Sequence, residues 1–228
     1  KRISLASLTN LVLTTAGRNA DENGFGLLEL QTENYTWVLS RLMIEMKRMP
    51  TEEDTLSIET WVEDVGNVFT TRNFHLSDGA GETIGYATSS WAIINLKSRR
   101  SASLENLTLM QDFIVPESTP IGKPVRIPNS NGEVANTFTV KYSDIDINGH
   151  ANTLHYVRWI SDCFSLDFYR EHFIRHFEIN FLQELMYGDE GEVRREAGTE
   201  GEYTFQIVTR DRGPACRARI VFMPSNAL

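Results

Sequence analysis

Cysteine is scarce in this sequence, with only Cys163 and Cys216 among 228 residues. They lie far apart and lack C-x-x-C or histidine-spaced partners, so neither a disulfide framework nor a zinc knuckle is indicated. Long apolar runs are also missing, since no stretch approaches the roughly 18 residues that a membrane-spanning helix needs. The N-terminus has no signal-peptide pattern. These absences favour a reducing, cytoplasmic setting without membrane insertion.

Positive charge is in deficit, because 22 Lys and Arg residues face 31 Asp and Glu residues and leave a net charge of -9. Phosphate binding needs a basic surface, so nucleic acid is not predicted as a partner. Hydrophobic content of 41% and charged content of 23% are ordinary for a globular protein. The length exceeds the roughly 100 to 200 residues of one domain, so one large domain and two similar modules are both open.

The first half reads as one helix followed by four strands. Apolar spacing from Leu5 to Ala16 predicts a helix that stops at Gly17. Strands are predicted at residues 37–46, 55–65, 69–77 and 83–95, and Asp78 with Gly79 marks the last hairpin. Residues 97–135 hold four of the chain's seven prolines and only one apolar stretch, at 104–113. This segment is predicted to cross a surface and link two halves.

The second half repeats the order of helix and then strands. Alternation of Phe138, Val140 and Tyr142 with polar residues predicts a half-buried strand. Beyond a polar turn, a helical stripe recurs every three or four residues, at Leu154, Val157, Ile160, Phe164 and Phe168. A turn around 171–176 and strands near 177–185, 192–197, 203–209 and 215–222 follow. The same element order twice indicates an internal repeat.

The turn that enters this helix is rich in groups that can do chemistry. It holds Asp144, Asp146, Asn148, His150 and Asn152 within nine residues. Asn152 is a predicted N-cap, and a helix N-terminus presents unpaired N–H groups that can bind an oxyanion. An imidazole and an amide beside such donors are the parts of an acyl-transfer site. A turn without chemistry is the alternative, because Asn, Asp and Gly all suit turns.

The segment DINGHAN, residues 146–152, followed by an amphipathic helix resembles the signature of hotdog-fold thioesterases. Residues 34–62, NYTWVLSRLMIEMKRMPTEEDTLSIETWV, resemble the first half of the acyl-acyl carrier protein thioesterases of plants and bacteria. The resemblance implies an α+β fold of two tandem hotdog modules, each a long helix wrapped by a curved antiparallel sheet. It places an N-terminal module at 1–96, a linker at 97–135 and a catalytic module at 136–228. The strand expected before the first helix is not visible after Lys1, so it either lies upstream or has been lost.

The resemblance also implies hydrolysis of fatty acyl-acyl carrier protein to free fatty acid, without cofactor or metal. His150 would activate water together with Glu184, which is expected on the strand that follows the helix. Asn148 would hold the thioester carbonyl, and Asp146 would orient its neighbours. Taken alone, Glu184 is equally consistent with a surface strand residue.

Three apolar residues, Leu8, Val12 and Trp37, are implied by the resemblance to line a tunnel for the acyl chain. Ordinary core packing explains each of them singly, and the tunnel is expected of the group. Asn152 joins them as a substrate-binding residue. Since each buried CH2 group contributes about 0.8 kcal/mol, the depth of such a tunnel can set chain-length preference.

Other chemistries fit less well. The family's suggested cysteine beside the strand glutamate is Leu185 here, and Cys163 falls in the helix stripe as a small buried residue. His172 and His176 have a metal-ligand spacing but no H-E-x-x-H motif, so a solvated turn or helix face is predicted and no metal. The two remaining candidates, His155 and His75, show no partner pattern.

The expected partner is an acyl carrier protein that bears a fatty acyl chain, and a homodimer is left open. Acyl carrier proteins are acidic, so this acidic chain must concentrate its cations locally. The candidate cations are Arg99, Arg100, Arg194, Arg195, Arg210, Arg212, Arg217 and Arg219. Alternatives are an acyl-CoA thioesterase of the same fold, a non-catalytic acyl-binding protein, and a hotdog dehydratase. A binding tunnel has no need of an imidazole, an amide and two acids together, which disfavours the binding protein.

Overall fold

A computed structural model describes residues 2–102 and 108–225 of the chain. Helices and antiparallel strands occur in both halves, so the predicted α+β class is confirmed. The chain divides into two compact units. The first unit consists of residues 10–45 and 50–125, and the second unit consists of residues 1–9, 46–49 and 126–228. The predicted boundaries at 96 and 135 stay a prediction.

The first helix, α1, covers Leu5–Glu22 and therefore runs past Gly17, where the sequence predicted its end. That prediction is wrong because the buried stripe continues to Ala20, and one exposed helical glycine costs only about 1 kcal/mol. The helix ends instead at Glu22, and Gly24, whose φ is +76°, closes it. The N–H of Gly24 donates to Asp21 O and that of Phe25 donates to Ala20 O, a Schellman motif.

The first unit contains a short helix and a four-stranded antiparallel sheet. Helix α2 (Leu27–Thr32) was not predicted. The strands, in spatial order, are β2 (Ser57–Val65), β3 (Thr70–Ser77), β4 (Thr83–Asn95) and β1 (Tyr35–Met46), whose last residue belongs to the second unit. Each lies within two residues of its predicted bounds. The hairpin at Asp78 is confirmed, with the Asp78 N–H donating to Glu82 O.

The proline-rich segment contains a 3-10 helix, Thr108–Phe113, after which the chain follows the edge strand β2 within the first unit. Ile114 bridges Val62 in parallel, and Trp61 Nε1 donates to Glu117 O at 2.7 Å. The Lys123 ammonium group pairs with Glu63 at 3.2 Å. Residues 114–123 are therefore bound to β2. Part of the predicted apolar stretch, residues 104–107, lies outside the described residues.

The second unit has a five-stranded antiparallel sheet and two helices. Its strands, in spatial order, are β6 (His172–Phe181), β9 (Gly213–Pro224), β8 (Glu202–Thr209), β7 (Glu190–Ala197) and β5 (Glu133–Thr139). The helices are α3 (Thr153–Ser161) and α4 (Leu166–Glu171). Between β5 and α3, Tyr142–Asp144 forms a 3-10 helix, so the prediction that Tyr142 continues the strand is wrong.

The prediction of one continuous helix carrying the stripe to Phe168 is also wrong. Helix α3 ends at Ser161. The Cys163 N–H then donates to Ile160 O, an i to i−3 hydrogen bond of the 3-10 type. Ser165 then caps a new helix, because its hydroxyl accepts the Phe168 N–H at 3.2 Å. An N-cap serine inside an apolar stripe outweighs the continuity of the stripe.

Candidate active site

The polar turn before α3 is fixed by the carboxylate of Asp146. Its Oδ1 accepts the N–H of Asn148 at 2.8 Å and that of His150 at 3.3 Å. The Asp146 N–H in turn donates to His150 O at 2.8 Å. Gly149 lies between them with a φ of +82°, a conformation that favours glycine. One carboxylate thus holds the backbone on which Asn148 and His150 are mounted.

His150 and Glu184 meet side by side within the second unit. His150 Nε2 lies 3.3 Å from Glu184 Oε2, with 22% of the histidine and 38% of the glutamate side chain exposed. Their backbones also run together, since His150 bridges Met186 and the Ala151 N–H donates to Leu185 O at 2.7 Å. The arrangement joins an imidazole to a carboxylate at a position that a reactant can reach.

Glu184 does not lie on a strand, and this part of the prediction is wrong. Strand β6 ends at Phe181, three residues earlier. The N–H groups of Leu182 and Gln183 both donate to Ala215 O, which ends the regular ladder and turns the chain away from the sheet. Glu184 therefore sits on an irregular segment between β6 and β7.

Asn148 is exposed at the tip of the same turn. Among the described residues its carboxamide makes no hydrogen bond, although its backbone N–H is held by Asp146. A side-chain amide that the protein itself does not engage is free to donate to a carbonyl oxygen brought beside the His150 imidazole. No distance within the chain assigns this role, so it stays a prediction.

Asn152 caps α3 as predicted, because its Oδ1 accepts the Leu154 N–H at 2.9 Å. The next histidine has a partner that no sequence pattern indicated, because His155 Nδ1 lies 3.0 Å from Asp144 Oδ1. Burial lowers the pKa of His155, opposed by the nearby carboxylate. The buried Asp144 also accepts the Lys141 N–H, so this pair anchors the start of the turn. The sequence feature that could have indicated this pair is Asp144, the first acidic residue of the polar cluster.

His75 also has partners that no sequence pattern indicated. Its Nε2 lies 2.8 Å from Thr83 Oγ1, and its ring stacks on Tyr86 in the first unit. His172 and His176 lie on β6, so the predicted turn or helix face is wrong. Residues four apart on a strand are separated by roughly 13 Å, too far to share a metal. Among the described residues, no group of three or more His, Cys, Asp or Glu side chains could hold a metal ion.

The cysteines are free thiols at two depths. Cys163 lies between α3 and α4, and its Sγ is 3.5 Å from Trp159 O. Burial raises its pKa to about 11, so it is a thiol at neutral pH. Cys216 is fully buried on β9, and burial raises the pKa of its thiol further. Neither group has the environment of an activated nucleophile.

The residues predicted to line an acyl tunnel are buried. Leu8 and Val12 on α1 have no exposed surface. Trp37 on β1 packs with the Phe25 cluster of the first unit and donates its Nε1–H to Phe25 O at 2.9 Å. These contacts also suit core residues, so the tunnel stays a prediction.

A groove of about 580 Å³ opens on the second unit between β5, β7 and α3. Phe138 and Trp159 stack at 4.2 Å on its wall, and Asp144 reaches it from the polar turn. The four predicted catalytic residues are not among the residues that line it. The groove and the His150–Glu184 pair are therefore distinct surfaces of this unit.

Most of the arginines considered for carrier binding already have protein partners. The paired ones and their partners are Arg194 with Glu192, Arg195 with Cys163 O, Arg210 with Glu190, Arg212 with Asp189, Arg217 with Ile127 O, and Arg219 with Glu202. A cation already neutralised by a carboxylate attracts an acidic partner less strongly. Among the described residues, no helix is both long and apolar enough to cross a membrane.

Two family models match nearly the whole chain. The model of the acyl-ACP thioesterase N-terminal domain matches residues 1–109, and that of the C-terminal domain matches residues 129–223. A chloroplastic acyl-[acyl-carrier-protein] hydrolase of Cuphea viscosissima is 32% identical over 148 residues, which is 60% of this chain and 35% of that protein. A chloroplastic palmitoyl-acyl carrier protein thioesterase of Gossypium hirsutum is 28% identical over 172 residues, 71% of this chain and 41% of that protein. The chain thus spans well under half the length of these two relatives.

Solved structures extend the agreement to the fold. An acyl-ACP thioesterase from Bacteroides thetaiotaomicron is 40% identical with a TM-score of 0.91, covering 97% of this chain and 90% of its own. The 12:0-ACP thioesterase from Umbellularia californica, 21% identical with a TM-score of 0.86, covers 98% and 91% and bears on the fold alone. The predicted fold of two tandem hotdog modules is confirmed. With both domain models matched and a 40% identical relative aligned over most of its length, the chain belongs to the acyl-ACP thioesterase family.

Proposed function

We propose that this chain hydrolyses the thioester between a fatty acyl chain and acyl carrier protein and releases free fatty acid. The observation that carries the proposal is the pair of His150 Nε2 and Glu184 Oε2, 3.3 Å apart beside the N-terminus of α3. Membership of the acyl-ACP thioesterase family supports the substrate class.

The proposed reaction is a direct attack of water on the thioester. His150, paired with Glu184, takes a proton from a water molecule whose oxygen adds to the carbonyl carbon. The Asn148 carboxamide donates to the resulting oxyanion, a contact that strengthens as charge develops on the oxygen. Collapse of this intermediate breaks the C–S bond, and the proton held by His150 passes to the departing thiolate. Asp146 keeps the turn in shape throughout.

The partly exposed pair distinguishes hydrolysis from passive acyl binding. A binding cavity is selected for apolar lining and a few polar groups that fix orientation. Here an imidazole, a carboxylate and an unengaged carboxamide stand on two adjoining segments that a reactant can reach. Water attack is also consistent with two cysteines that are both protonated at neutral pH.

The carrier, the compartment and the assembly belong to the same proposal. Acyl carrier protein is the proposed carrier, a cytoplasmic setting fits two free thiols, and a homodimer stays open. Since most C-terminal arginines are paired with protein groups, we expect recognition of the carrier to draw on other cations as well.

The decisive experiment supplies the purified chain with acyl carrier proteins bearing a ladder of acyl lengths, and with the matched acyl-CoA esters. We expect the chain to release free fatty acid from the carrier-protein substrates, with a higher kcat/KM than on the matched acyl-CoA esters. The His150→Ala protein, assayed in parallel, controls for contaminating hydrolases. A higher kcat/KM on acyl-CoA would identify coenzyme A as the carrier, and no acid from any substrate would end the hydrolase proposal.

A further inference from the structure

The geometry points to Tyr156 as a positioning residue for Glu184, an inference that rests on the proposed function. Tyr156 lies on α3, is 3% exposed, and packs edge-on against Phe181. Its hydroxyl donates to Gln183 O at 3.2 Å and accepts the Leu185 N–H at 3.0 Å. A single hydroxyl therefore binds the backbone groups of the two residues that flank Glu184.

The segment that carries Glu184 needs such support because it lies outside the sheet. Backbone groups that leave a β ladder must find other partners, since a buried unpaired N–H or C=O is costly. The Leu185 side chain is fully buried, and its N–H finds its partner in the Tyr156 hydroxyl. The Glu184 side chain is 38% exposed, so packing alone does not fix its direction.

A second set of hydrogen bonds, made by Arg212, Gln183 and Asp189, also holds this segment. Arg212 Nη1 donates to Glu184 O at 3.3 Å, and the same guanidinium pairs with Asp189. Asp189 Oδ2 accepts the Met186 N–H at 2.6 Å, and Gln183 Nε2 donates to Arg212 O at 2.9 Å. Unlike these groups, Tyr156 stands on α3, the helix that begins at Thr153, three residues after His150.

This origin gives Tyr156 its proposed role. His150 is carried by the turn that enters α3, and Tyr156 projects from α3 six residues later. The hydroxyl thus ties the glutamate segment to the helix that follows the turn carrying the histidine. Together with the Ala151 N–H to Leu185 O bond, this tie holds the Nε2–Oε2 distance at 3.3 Å, and catalytic rates are sensitive to displacements of about 1 Å.

Tyr156→Phe removes the hydroxyl and keeps the ring. We expect kcat on acyl-acyl carrier protein to fall about 10- to 100-fold, with little change in KM, because the acyl chain and carrier do not bind through this hydroxyl. The matched control is Tyr169→Phe, which removes a hydroxyl that donates to Ser161 O at 2.9 Å in the same unit. That variant should keep the kcat of the parent protein.

A double-mutant cycle separates positioning from general destabilisation. If Tyr156 acts through Glu184, Tyr156→Phe costs little further kcat in a Glu184→Gln background. Amide hydrogen exchange at Leu185 should quicken in Tyr156→Phe and not in Tyr169→Phe. A Tyr156→Phe enzyme with parental kcat, an equal loss in both backgrounds, or a Glu184→Gln enzyme with parental kcat would each overturn the inference. A parent protein that hydrolyses none of the substrates would instead refute the proposed function. In that case, a Leu185 exchange rate in Tyr156→Phe equal to that of the parent protein would still refute the contact between Tyr156 and this segment.

Discussion

At the scale of single residues, the proposed site can be tested without disturbing the core. Asn148 is exposed and His150 is half-buried, so truncating either leaves no large cavity. We expect Asn148→Ala and His150→Ala each to lower kcat about 100- to 1000-fold, the usual cost of losing an oxyanion donor or a general base. Release of free fatty acid and the thermal unfolding midpoint are the two measurements.

Ile147 supplies the control, because it lies in the same turn with its side chain 88% exposed. Ile147→Ala should keep both the kcat and the unfolding midpoint of the parent protein. If Asn148→Ala and His150→Ala hydrolyse the substrate as fast as this control, the assignment of the turn is wrong.

Cys163 gives a residue-level test of water attack against a covalent route. Burial raises the pKa of its thiol to about 11, so at pH 8 only about one molecule in a thousand carries the thiolate. We expect Cys163→Ser to retain kcat. Alkylation of Cys163 by iodoacetamide should accelerate about tenfold per pH unit up to pH 11. An acyl group trapped on Cys163 and found by mass spectrometry would contradict this.

The sequence identified the polar turn because its acids, amides and imidazole are adjacent in the chain. It also identified the Asn152 cap, which is a local contact. The pairings across space were less accessible: His155 finds Asp144 only once the 3-10 helix folds the acid back onto α3. The support of Glu184 by Tyr156 depends on where β6 stops, and strand ends are poorly specified by apolar alternation.

At the scale of elements, the ends of helices were the least predictable feature. Gly17 was predicted to stop α1, but it is Gly24 that adopts a positive φ and closes the helix. The choice is made by packing, because buried Ala20 draws the last turns of the helix onto the core of the first unit. The break between α3 and α4 has the opposite origin, a local serine cap inside a stripe that looked continuous.

Gly17 offers the prediction at this scale. A Cβ added at Gly17 meets no atom within 4 Å, and the residue lies inside a regular helix. We expect Gly17→Ala to raise the free energy of unfolding by about 0.5 to 1 kcal/mol, since alanine loses less backbone entropy on entering a helix. Urea unfolding checks the value. Gly24→Ala, at a φ of +76°, should destabilise instead, and equal effects at both positions would contradict this account of the helix end.

At the scale of the whole molecule, the internal repeat correctly predicted the order of helix and then four strands in each half. The assignment of distant chain segments to one compact unit was not predictable from the sequence. The second unit recruits residues 1–9 and 46–49, both distant in sequence from its main part. Arg2 shows why, since its guanidinium donates to Tyr169 O and Arg170 O at 2.9 Å. Likewise Arg175 Nη1 donates to Met46 O at 2.8 Å. No local pattern reports such contacts, because each joins segments more than 120 residues apart.

This composition of the second unit makes a prediction about fragments. A fragment of residues 126–228 retains the His150–Glu184 pair but lacks the contacts supplied by Arg2 and Met46. We therefore expect the isolated fragment to unfold at a lower urea concentration than the same residues in the intact chain.

Co-expression of residues 1–125 with 126–228 should restore the midpoint, because the separate pieces then supply residues 1–9 and 46–49 again. Near-ultraviolet circular dichroism along a urea series measures the transition, and Arg2→Ala in the intact chain is the single-residue version. Equal midpoints for the isolated fragment and the intact chain would mean that residues 126–228 form a self-sufficient module, and that the two recruited segments contribute nothing to its stability.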